Sequence, residues 1–432
     1  MAFLRNHMLL LVVRCAMAIL SWTLRAIDHV SFALNYVVQS TLALLPGGKS
    51  GYPLILPAPD YHPAVFVTGT SSGIGRDVAL ALAQKGYTVL AGVRRSEDGT
   101  KLCNAFLQFL KPLMAKNVPA NGTWYAEQLR RVGRIIPVLL DVTVNGSIEE
   151  AAQIVEDHLN RLDIPLAGLI NNAGISGSTP MEIVSEAFME SVFAVNYYGP
   201  VKLTQRLLPT LRRNQGRVVN VTSIMSWLIG PGYGTYCASK AALHASSMAW
   251  RFELANFGVA LSVVEPGATR TPIWGKLEQQ LANHQRRLQN LGSDPTPLGL
   301  DHRPSEADSS TNETISTPSS PPATDQNGAD SSTESDGPRG STVKPTGSLS
   351  APSVATRQLY NPMLQRMQST QHLVPMLSFP TVHCVDAVTH ALTSRFPKIT
   401  YHVGWDTRIL SAAYAIVGDA VIEWAYRAFC FS

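Results

Sequence analysis

Short apolar runs alternate with longer amphipathic stretches between residues 64 and 264 of the 432-residue chain. Six apolar runs have the length and composition of strands: Ala64–Thr68, Tyr87–Val93, Arg134–Leu140, Ala167–Ile170, Arg217–Val221 and Val259–Val264. Stretches between them have the periodicity of helices, notably Ile74–Gln84, Ile148–Leu159, Val201–Arg213 and Tyr236–Phe257. Because strands that are apolar on both faces need helices on both faces, the pattern predicts an α/β fold with a doubly wound parallel sheet.

The segment before this region has a different composition. Residues 1–45 are mostly apolar, contain three arginines and have no acid before Asp28. This favours a membrane anchor or a helix that lies in the membrane interface, and an Arg-rich mitochondrial presequence is the alternative. The Pro/Gly-rich residues 46–63 are typical of a linker to a folded domain over residues 64–291.

The region after the domain changes composition twice. Residues 292–356 are rich in Ser, Thr, Pro, Asp and Gly and almost free of large apolar side chains. Such a stretch cannot bury enough surface to offset its ordering entropy, so it predicts a disordered insertion. Structure is expected to resume over residues 357–432, where the apolar stretch Ile409–Phe431 contains charges and therefore favours an amphipathic helix.

The charge and cysteine content argue against several classes of protein. Lys and Arg number 35 against 31 acids, so the formal net charge is only +4, which gives no electrostatic basis for nucleic-acid binding. The five cysteines are scattered and form no CxxC pair, so we expect neither a disulfide framework nor a metal site. Reduced thiols of this kind are typical of a domain that faces the cytosol.

A glycine-rich turn joins the first predicted strand to the first predicted helix. It reads Thr68-Gly69-Thr70-Ser71-Ser72-Gly73-Ile74-Gly75. Glycines let such a turn bend tightly and bring backbone N–H groups close to a pyrophosphate at the helix N-terminus. The turn therefore predicts dinucleotide binding, and a tight connection without a ligand is the alternative.

A tyrosine and a lysine four residues apart form a candidate acid–base pair. On a helix, Tyr236 and Lys240 share a face. The lysine charge should lower the pKa of the phenol from its usual value of about 10 towards a range useful for proton transfer. Ser223 ends a predicted strand thirteen residues earlier, where its hydroxyl could hydrogen-bond a substrate oxygen. A surface Tyr–Lys pair and an ordinary strand-end cap are the alternatives.

Further motifs follow in a fixed order along the chain. They are Asn171-Asn172-Ala173-Gly174, Asn196 in VNYYG, Ser223 in VNVTS, Tyr236 with Lys240 in YCASK, and Pro266-Gly267 with Thr271 in PGATRT. With the TGxxxGxG turn, this series resembles the short-chain dehydrogenase/reductase family, which implies a single Rossmann-like catalytic domain. The resemblance implies that Tyr236 is the general acid/base and that Ser223 orients the carbonyl or alcohol. Lys240 would hold the nicotinamide ribose, and Asn196 would complete a proton relay.

The resemblance also implies a set of cofactor-binding residues. They are Gly69, Ser71, Ser72, Gly73, Ile74, Gly75, Arg94, Arg95, Asp141, Asn172, Ala173, Gly174, Tyr236, Lys240, Pro266, Gly267 and Thr271. Arg94 and Arg95 follow the second strand where an NAD enzyme would carry an acid, so NADP(H) is favoured and NAD(H) is the alternative. Many NADP-preferring relatives also have a basic residue just before the second glycine of the glycine-rich turn, and this chain has Ser72 at that position. Asp141 matches the acid that contacts adenine in the family, and it could equally cap a turn.

The C-terminal part is similar to the retinol and hydroxysteroid dehydrogenase branch of this family. The similarity rests on Ala391–Pro397 and Tyr401–Asp406, which match a run that reads "HALT…P…RY…GWD". It implies a lipophilic alcohol or carbonyl as substrate: a retinoid, a steroid or a long-chain lipid. The site would be roofed by Ile273–Leu288 and Leu359–Gln371. We expect a protein associated with the endoplasmic reticulum membrane whose catalytic domain faces the cytosol, and a homodimer agrees with the family.

Two other functions stay open. The chain could be a non-catalytic nucleotide-binding protein whose insertion recruits partners, although the four intact candidate catalytic residues argue against this. It could also be a mitochondrial dehydrogenase of the hydroxybutyrate type, because that group shares several of the motifs.

Overall fold

The computed structural model describes residues 23, 25–41, 51–115, 123–275, 279, 354–371, 374 and 378–411. The predicted insertion, except for its last three residues, lies outside this part of the chain. So do most of the predicted N-terminal membrane segment, residues 276–288 of the first predicted roof helix apart from position 279, and the C-terminal stretch beyond residue 411.

The centre of the molecule is a seven-stranded sheet in which every neighbouring pair is parallel. Its strands are β1 (Ala64–Thr68), β2 (Thr88–Val93), β3 (Arg134–Leu139), β4 (Leu166–Asn171), β5 (Arg217–Val221), β6 (Ala260–Pro266) and β7 (Thr400–Val403). They lie in the order β3-β2-β1-β4-β5-β6-β7, so the direction of winding reverses between β1 and β4. This confirms the predicted fold class.

Helices cover both faces of the sheet. They are α1 (25–41), α2 (Gly73–Gln84), α3 (Ser96–Ala115), α4 (Thr123–Arg131), α5 (Asn145–Leu162), α6 (Glu186–Phe193), α7 (Gly199–Asn214), α8 (Gly234–Leu254), α9 (Val354–Leu359), α10 (Asn361–Gln371) and α11 (Val382–Thr393). A π-helical turn, Ala194–Tyr198, joins α6 to α7, and short 3₁₀ helices occupy Ile224–Ser226 and Ala255–Phe257.

Successive residues of the central strands face opposite layers, and this alternation produces two apolar cores. Val65 packs with Leu82 of α2 and Val388 of α11 on one face. Phe66, the next residue, packs with Leu203 of α7 in the other core. All five are fully buried, and each such side chain contributes about 1.5–3 kcal/mol through removal from water.

Helix α1 packs against α11 and against β7, the last strand of the sheet. Phe32 stacks on His390 with ring centroids 3.9 Å apart, and Arg25 pairs with Asp386 at 2.7 Å. Asn35 Nδ2 donates to the carbonyl of Phe396 at 2.7 Å. Phe32 also contacts Tyr401 of β7 edge to face, with ring centroids 5.8 Å apart, so α1 lies beside the last strand of the sheet. Across the ranges described above, no helix has the length and apolarity needed to cross a membrane.

Candidate active site

The carboxyl ends of the parallel strands meet at one edge of the sheet, on either side of the reversal between β1 and β4. In doubly wound sheets this is where ligands bind. Thr68, Asn171, Val221 and Pro266 end four of these strands. The glycine-rich turn, the Asn172 loop, Ser223 and the Gly267 loop follow these strand ends, so strand direction brings them to one crevice, whereas Asn196 and the Tyr236–Lys240 pair reach it from helices.

The glycine-rich turn between β1 and α2 has the form that a dinucleotide requires. Gly69 and Gly73 have φ of +68° and +60°, in the left-handed region that favours glycine. A Cβ on Gly69 would lie 2.8 Å from Ala173 Cα, and one on Gly75 would overlap the side-chain amide of Asn172. The backbone at Gly69 and Gly75 therefore lies so close to the loop after β4 that no residue with a Cβ would fit at these positions.

The N-terminus of α2 is open to an anion. Ser72 is its N-cap residue but makes no side-chain capping hydrogen bond, and the first turn contains no acid. The first N–H groups of a helix lack intrahelical partners and attract phosphate. Ser71 is exposed beside them, while Ser72 and Ile74 are half-buried. These residues fit the pyrophosphate of a nicotinamide dinucleotide.

The loop after β4 is fixed to this turn by hydrogen bonds. Asn172 Nδ2 donates to the carbonyls of Thr68 at 3.0 Å and Gly69 at 3.1 Å. In return, Thr68 Oγ1 accepts from the backbone N–H groups of Asn172 and Ala173, both at 3.0 Å. A Cβ on Gly174 would lie 3.4 Å from Lys240 Nζ, so this loop also borders the candidate catalytic helix.

Tyr236 and Lys240 lie on one face of α8, as predicted, with Nζ 5.9 Å from the centroid of the phenol ring. Burial raises the pKa of Tyr236 to about 12, and a hydrogen bond with Ser223 acts in the opposite direction. The expected lowering by Lys240 is not seen: burial dominates the pKa of Tyr236, and the Lys240 charge is not among the causes of its shift. Burial also lowers the pKa of Lys240 to about 8, and Nζ donates to the carbonyl of Val221 at 3.0 Å. Tyr236 is thus a protonated phenol at neutral pH.

Ser223 is buried at the end of β5 and is the N-cap residue of the 3₁₀ helix Ile224–Ser226. Its Oγ accepts from the backbone N–H of Met225 at 3.2 Å. The strand-end cap that was the structural alternative is therefore present. The hydrogen bond to Tyr236 places the same hydroxyl beside the phenol, so capping and substrate contact are compatible.

Asn196 lies in the π-helical turn and is fully buried. Its Oδ1 accepts from the backbone N–H of Ile175 at 2.9 Å, and Nδ2 donates to the Ile175 carbonyl at 2.9 Å and to Ser239 Oγ at 3.0 Å. The side chain thus connects the loop after β4 to α8. Single π-helical turns of this kind occur frequently at functional sites.

The arginines that follow β2 are exposed, whereas the aspartate that follows β3 is hydrogen-bonded within its own turn. Arg94 and Arg95 are exposed directly after β2, and Arg95 pairs with Asp98 at 3.2 Å. Asp141 Oδ1 accepts from the N–H and the hydroxyl of Thr143 at 2.9 and 2.6 Å. Asp141 therefore caps the turn after β3, which was one of its two predicted roles.

The loop after β6 is supported by a residue to which the sequence assigned no role. Asp406 Oδ2 accepts from the N–H of Ala268 at 2.6 Å, and a Cβ on Gly267 would overlap the Asp406 carboxylate. A Cβ on Gly73 would lie 3.3 Å from Thr271, so Thr271 borders the glycine-rich turn. The GWD triplet was a signal for Asp406, but nothing in its spacing indicates contact with residues almost 140 positions earlier.

Helix α10 packs against the residues that lead into α8. Met363, Leu364 and Met367 on its inner face are buried with Tyr233 and Tyr360 packed against them. Tyr360 Oη donates to Glu182 Oε2 at 2.5 Å in the loop after β4. A Cβ on Gly232 would lie 3.0 Å from Met367. The predicted roof Leu359–Gln371 is thus largely helical and has an apolar inner face, and its function as a cover of the site stays a prediction.

Comparisons with known proteins agree with this geometry. The family model described as short chain dehydrogenase matches residues 63–118 and 99–282. Retinol dehydrogenase 5 of Homo sapiens is 31% identical over 370 residues, which cover 83% of this chain and 87% of that protein.

Two further relatives match a smaller part of the chain. The uncharacterized oxidoreductase YbbO of Escherichia coli K12 is 36% identical over 50% of this chain and 69% of its own length. Mitochondrial D-beta-hydroxybutyrate dehydrogenase of Bos taurus is 32% identical over 51% of this chain and 59% of its own length. The predicted family and the similarity to retinol dehydrogenases are therefore confirmed: this chain belongs to the short-chain dehydrogenase family of NAD(P)-dependent oxidoreductases.

Proposed function

We propose that this protein is a membrane-associated, NADP(H)-preferring oxidoreductase that interconverts a lipophilic alcohol and its carbonyl. Substrates of this class are retinoids, steroids and long-chain lipids. The observation that carries the proposal is the convergence of Tyr236, Ser223 and Lys240 at the carboxyl edge of the sheet. When bound, the nicotinamide supplies or accepts the hydride.

In this mechanism the residues of the chain manage the proton and the substrate oxygen. In carbonyl reduction, Tyr236 donates its phenolic proton to the oxygen, and its raised pKa keeps that proton available at neutral pH. Ser223 donates a hydrogen bond to the same oxygen as negative charge develops. Lys240 stabilises the tyrosinate that remains and holds the ribose, while Asn196 keeps the adjoining loop in register with α8 for the proton relay.

The apolar roof and α1 support the proposal of a lipophilic substrate near a membrane. The inner face of α10 consists of Met363, Leu364 and Met367 and suits contact with a hydrocarbon. The two methionine thioethers make this face adaptable in shape. On the outer face of α1, Val30, Leu34 and Val37 are 69%, 62% and 59% exposed at one-face spacing. Such a stripe suits burial in the membrane interface of the endoplasmic reticulum. The similarity to retinol dehydrogenase 5 favours the same substrate class.

The coenzyme preference rests on Arg94 and Arg95. Both are exposed directly after β2, and a guanidinium group suits a ribose phosphate. Because Arg95 already pairs with Asp98, Arg94 is the better candidate for that contact. Replacing Arg94 with Ala should weaken NADPH binding about 10-fold, the loss of one charge-assisted hydrogen bond, and leave NADH binding unchanged. Arg134→Ala is the matched control, because Arg134 begins β3 and therefore lies at the edge of the sheet opposite to Arg94.

The experiment that tests the proposal follows NADPH and NADH oxidation by membranes that contain the full chain. The panel consists of retinaldehyde, keto-steroids, long-chain ketones and acetoacetate. Turnover of a lipophilic carbonyl with NADPH supports the proposal. Turnover of acetoacetate with NADH alone would support the hydroxybutyrate alternative instead, and NADPH binding without turnover on any carbonyl would support the non-catalytic one.

A further inference from the structure

A buried carboxylate next to the active site binds four side chains from three other parts of the chain. Glu265 is the penultimate residue of β6 and is fully buried. Its Oε1 accepts from Ser226 Oγ and His244 Nδ1, both at 2.7 Å. Its Oε2 accepts from Trp227 Nε1 at 3.1 Å and His402 Nδ1 at 3.0 Å. We refer to these five residues as the Glu265 cluster.

The carboxylate in this cluster is ionised. Burial on its own would raise the pKa of Glu265, but hydrogen bonds from His244, His402 and Ser226 outweigh it and hold the pKa at about 2. An ionised carboxylate is acceptor-only, and here two donors reach each oxygen. Such an arrangement is rigid, because withdrawal of any donor leaves one oxygen of a buried charge with a single hydrogen bond.

The donors belong to the same elements that carry the candidate catalytic residues. Ser226 ends the 3₁₀ helix that begins after Ser223, and its N–H donates to the Ser223 carbonyl at 3.0 Å. His244 lies four residues after Lys240 and therefore one turn further along α8. A shift of Glu265 would consequently move the Ser223 loop relative to the tyrosine helix.

The other two donors connect the cluster to the far edge of the sheet. His402 lies in β7, and its ring contacts that of Trp227 edge to face with centroids 6.4 Å apart. The side chains of His244 and His402 are 30% and 41% exposed, so the cluster reaches the surface through its histidines while the carboxylate stays dry. A fixed Nδ1–H on each ring is the tautomer that this arrangement requires.

From this geometry we propose that Glu265 is a positioning residue that holds the Ser223 loop in register with Tyr236 through Ser226, Trp227 and His244. The inference rests on the proposed function, since it assigns Glu265 to the support of that same proton-transfer geometry. Catalytic groups must be held within about 0.5 Å of their productive positions, and a displacement of 1 Å costs about 100-fold in rate. Because Ser226 and Trp227 are bonded to a buried charge, the segment that begins at Ser223 is held in one position.

Substitutions of two residues test the cluster: the acceptor Glu265 and one of its donors, Ser226. Glu265→Gln replaces one acceptor oxygen with an amide that faces N–H donors, so we expect kcat to fall about 100-fold. Ser226→Ala removes a single donor, and we expect a fall of about 10-fold. Ser226→Thr retains the hydroxyl and should recover most of the wild-type kcat. Glu156→Gln is the matched control, because Glu156 likewise accepts from Arg206 and Thr210, at 3.1 and 2.8 Å, but lies on α5 away from the crevice.

The measurement is kcat per NADPH-binding site, with the Kd of NADPH and the thermal midpoint recorded for every variant. The proposal predicts a loss of kcat at an NADPH Kd within about two-fold of wild type, with Glu156→Gln unaffected in kcat. Unchanged kcat per site in the Ser226 and Glu265 variants, with only a lower midpoint, would show that the cluster serves stability alone and overturn the proposal. If Glu265→Gln does not fold, the Ala and Thr variants of Ser226 decide. Wild-type protein without turnover would instead overturn the proposed function, and this inference with it.

Discussion

The two halves of the crevice are built in different ways. On the nucleotide side, the backbones of β1, α2 and the loop after β4 approach closely at glycines, and the short side chains of Thr68 and Asn172 bond the backbone there. On the substrate side, side chains carry the contacts: Glu265 binds His402, Asp406 supports Ala268, and Tyr360 reaches Glu182. A backbone-built half depends on residue size at a few positions, whereas a side-chain-built half depends on which distant residues meet.

The sharpest way to break the nucleotide half is to add one methyl group. In Gly75→Ala the new Cβ would overlap Asn172 Nδ2 and the Gly69 carbonyl, which would force the turn open. We expect NADPH affinity to fall at least about 100-fold, since the pyrophosphate contacts depend on that turn. Gly146→Ala in α5 is the matched control, because a Cβ there meets nothing within 4 Å and should be neutral or slightly stabilising. Isothermal titration with NADPH distinguishes the two, and equal affinities would contradict this view of the turn.

Low pH should weaken the substrate side of the crevice selectively, because Glu265 contributes to stability there as an anion. The pKa of this residue is lowered to about 2 from an ordinary value of 4.5, so its contribution to stability is present above pH 4.5 and is lost as the pH falls towards 2. The difference in unfolding free energy between wild type and Glu265→Gln should therefore shrink over that range. Urea denaturation at a series of pH values measures it. A difference that is constant from pH 6 to pH 2 would mean that Glu265 does not bind these donors as an anion.

A smaller effect is expected at the roof. Tyr360→Phe removes the hydrogen bond to Glu182 while α10 keeps its buried Met363, Leu364 and Met367. One exposed hydrogen bond is worth about 0.5–1 kcal/mol, so KM for the lipophilic substrate should rise about 2–5-fold with kcat unchanged. Tyr61→Phe, before β1 at the opposite end of the strands, is the control. A kcat effect as large as the KM effect would mean that the roof takes part in chemistry.

The smallest effect concerns a hydroxyl beneath that roof. Ser178 Oγ is buried and has no hydrogen-bond partner among the residues that the structure describes. Ser178→Ala should therefore stabilise the free protein by about 1 kcal/mol. Thermal unfolding provides the measurement, and Ser185→Ala, which removes the N-cap of α6, should destabilise by a similar amount. A destabilised Ser178→Ala would show that the hydroxyl has a partner.

The same contrast explains which features could be predicted from sequence. The strands β1 and β5 have the predicted ends, because apolar runs bounded by turn residues leave little choice. The glycine turn, Asn172 and Ser223 could be placed together because parallel strands bring their carboxyl ends to one edge, and Tyr236 and Lys240 could be placed on one helix face by their spacing. Strand β7 was missed: it has four residues and lies beyond a long insertion, so neither length nor spacing marked it.

Side-chain networks could not be predicted in the same way. The net pKa shift of Tyr236 depends on burial, which the spacing of Tyr236 and Lys240 does not contain. The pairing of Arg95 with Asp98 was not predicted, and for Asp141 the sequence left two roles open, of which the structure shows the cap. Glu265 and its donors are separated by up to 137 positions, and only the folded chain brings them together.

The most direct test of the account is the turnover of Tyr236→Phe against wild type with NADPH and a lipophilic carbonyl. Phe keeps the ring and removes the proton, so NADPH should bind with unchanged Kd while kcat falls about 1,000-fold, as expected for the loss of a general acid. If Tyr236→Phe retains wild-type kcat, another group donates the proton, and the role assigned here to Tyr236, Ser223 and the residues that position them is wrong.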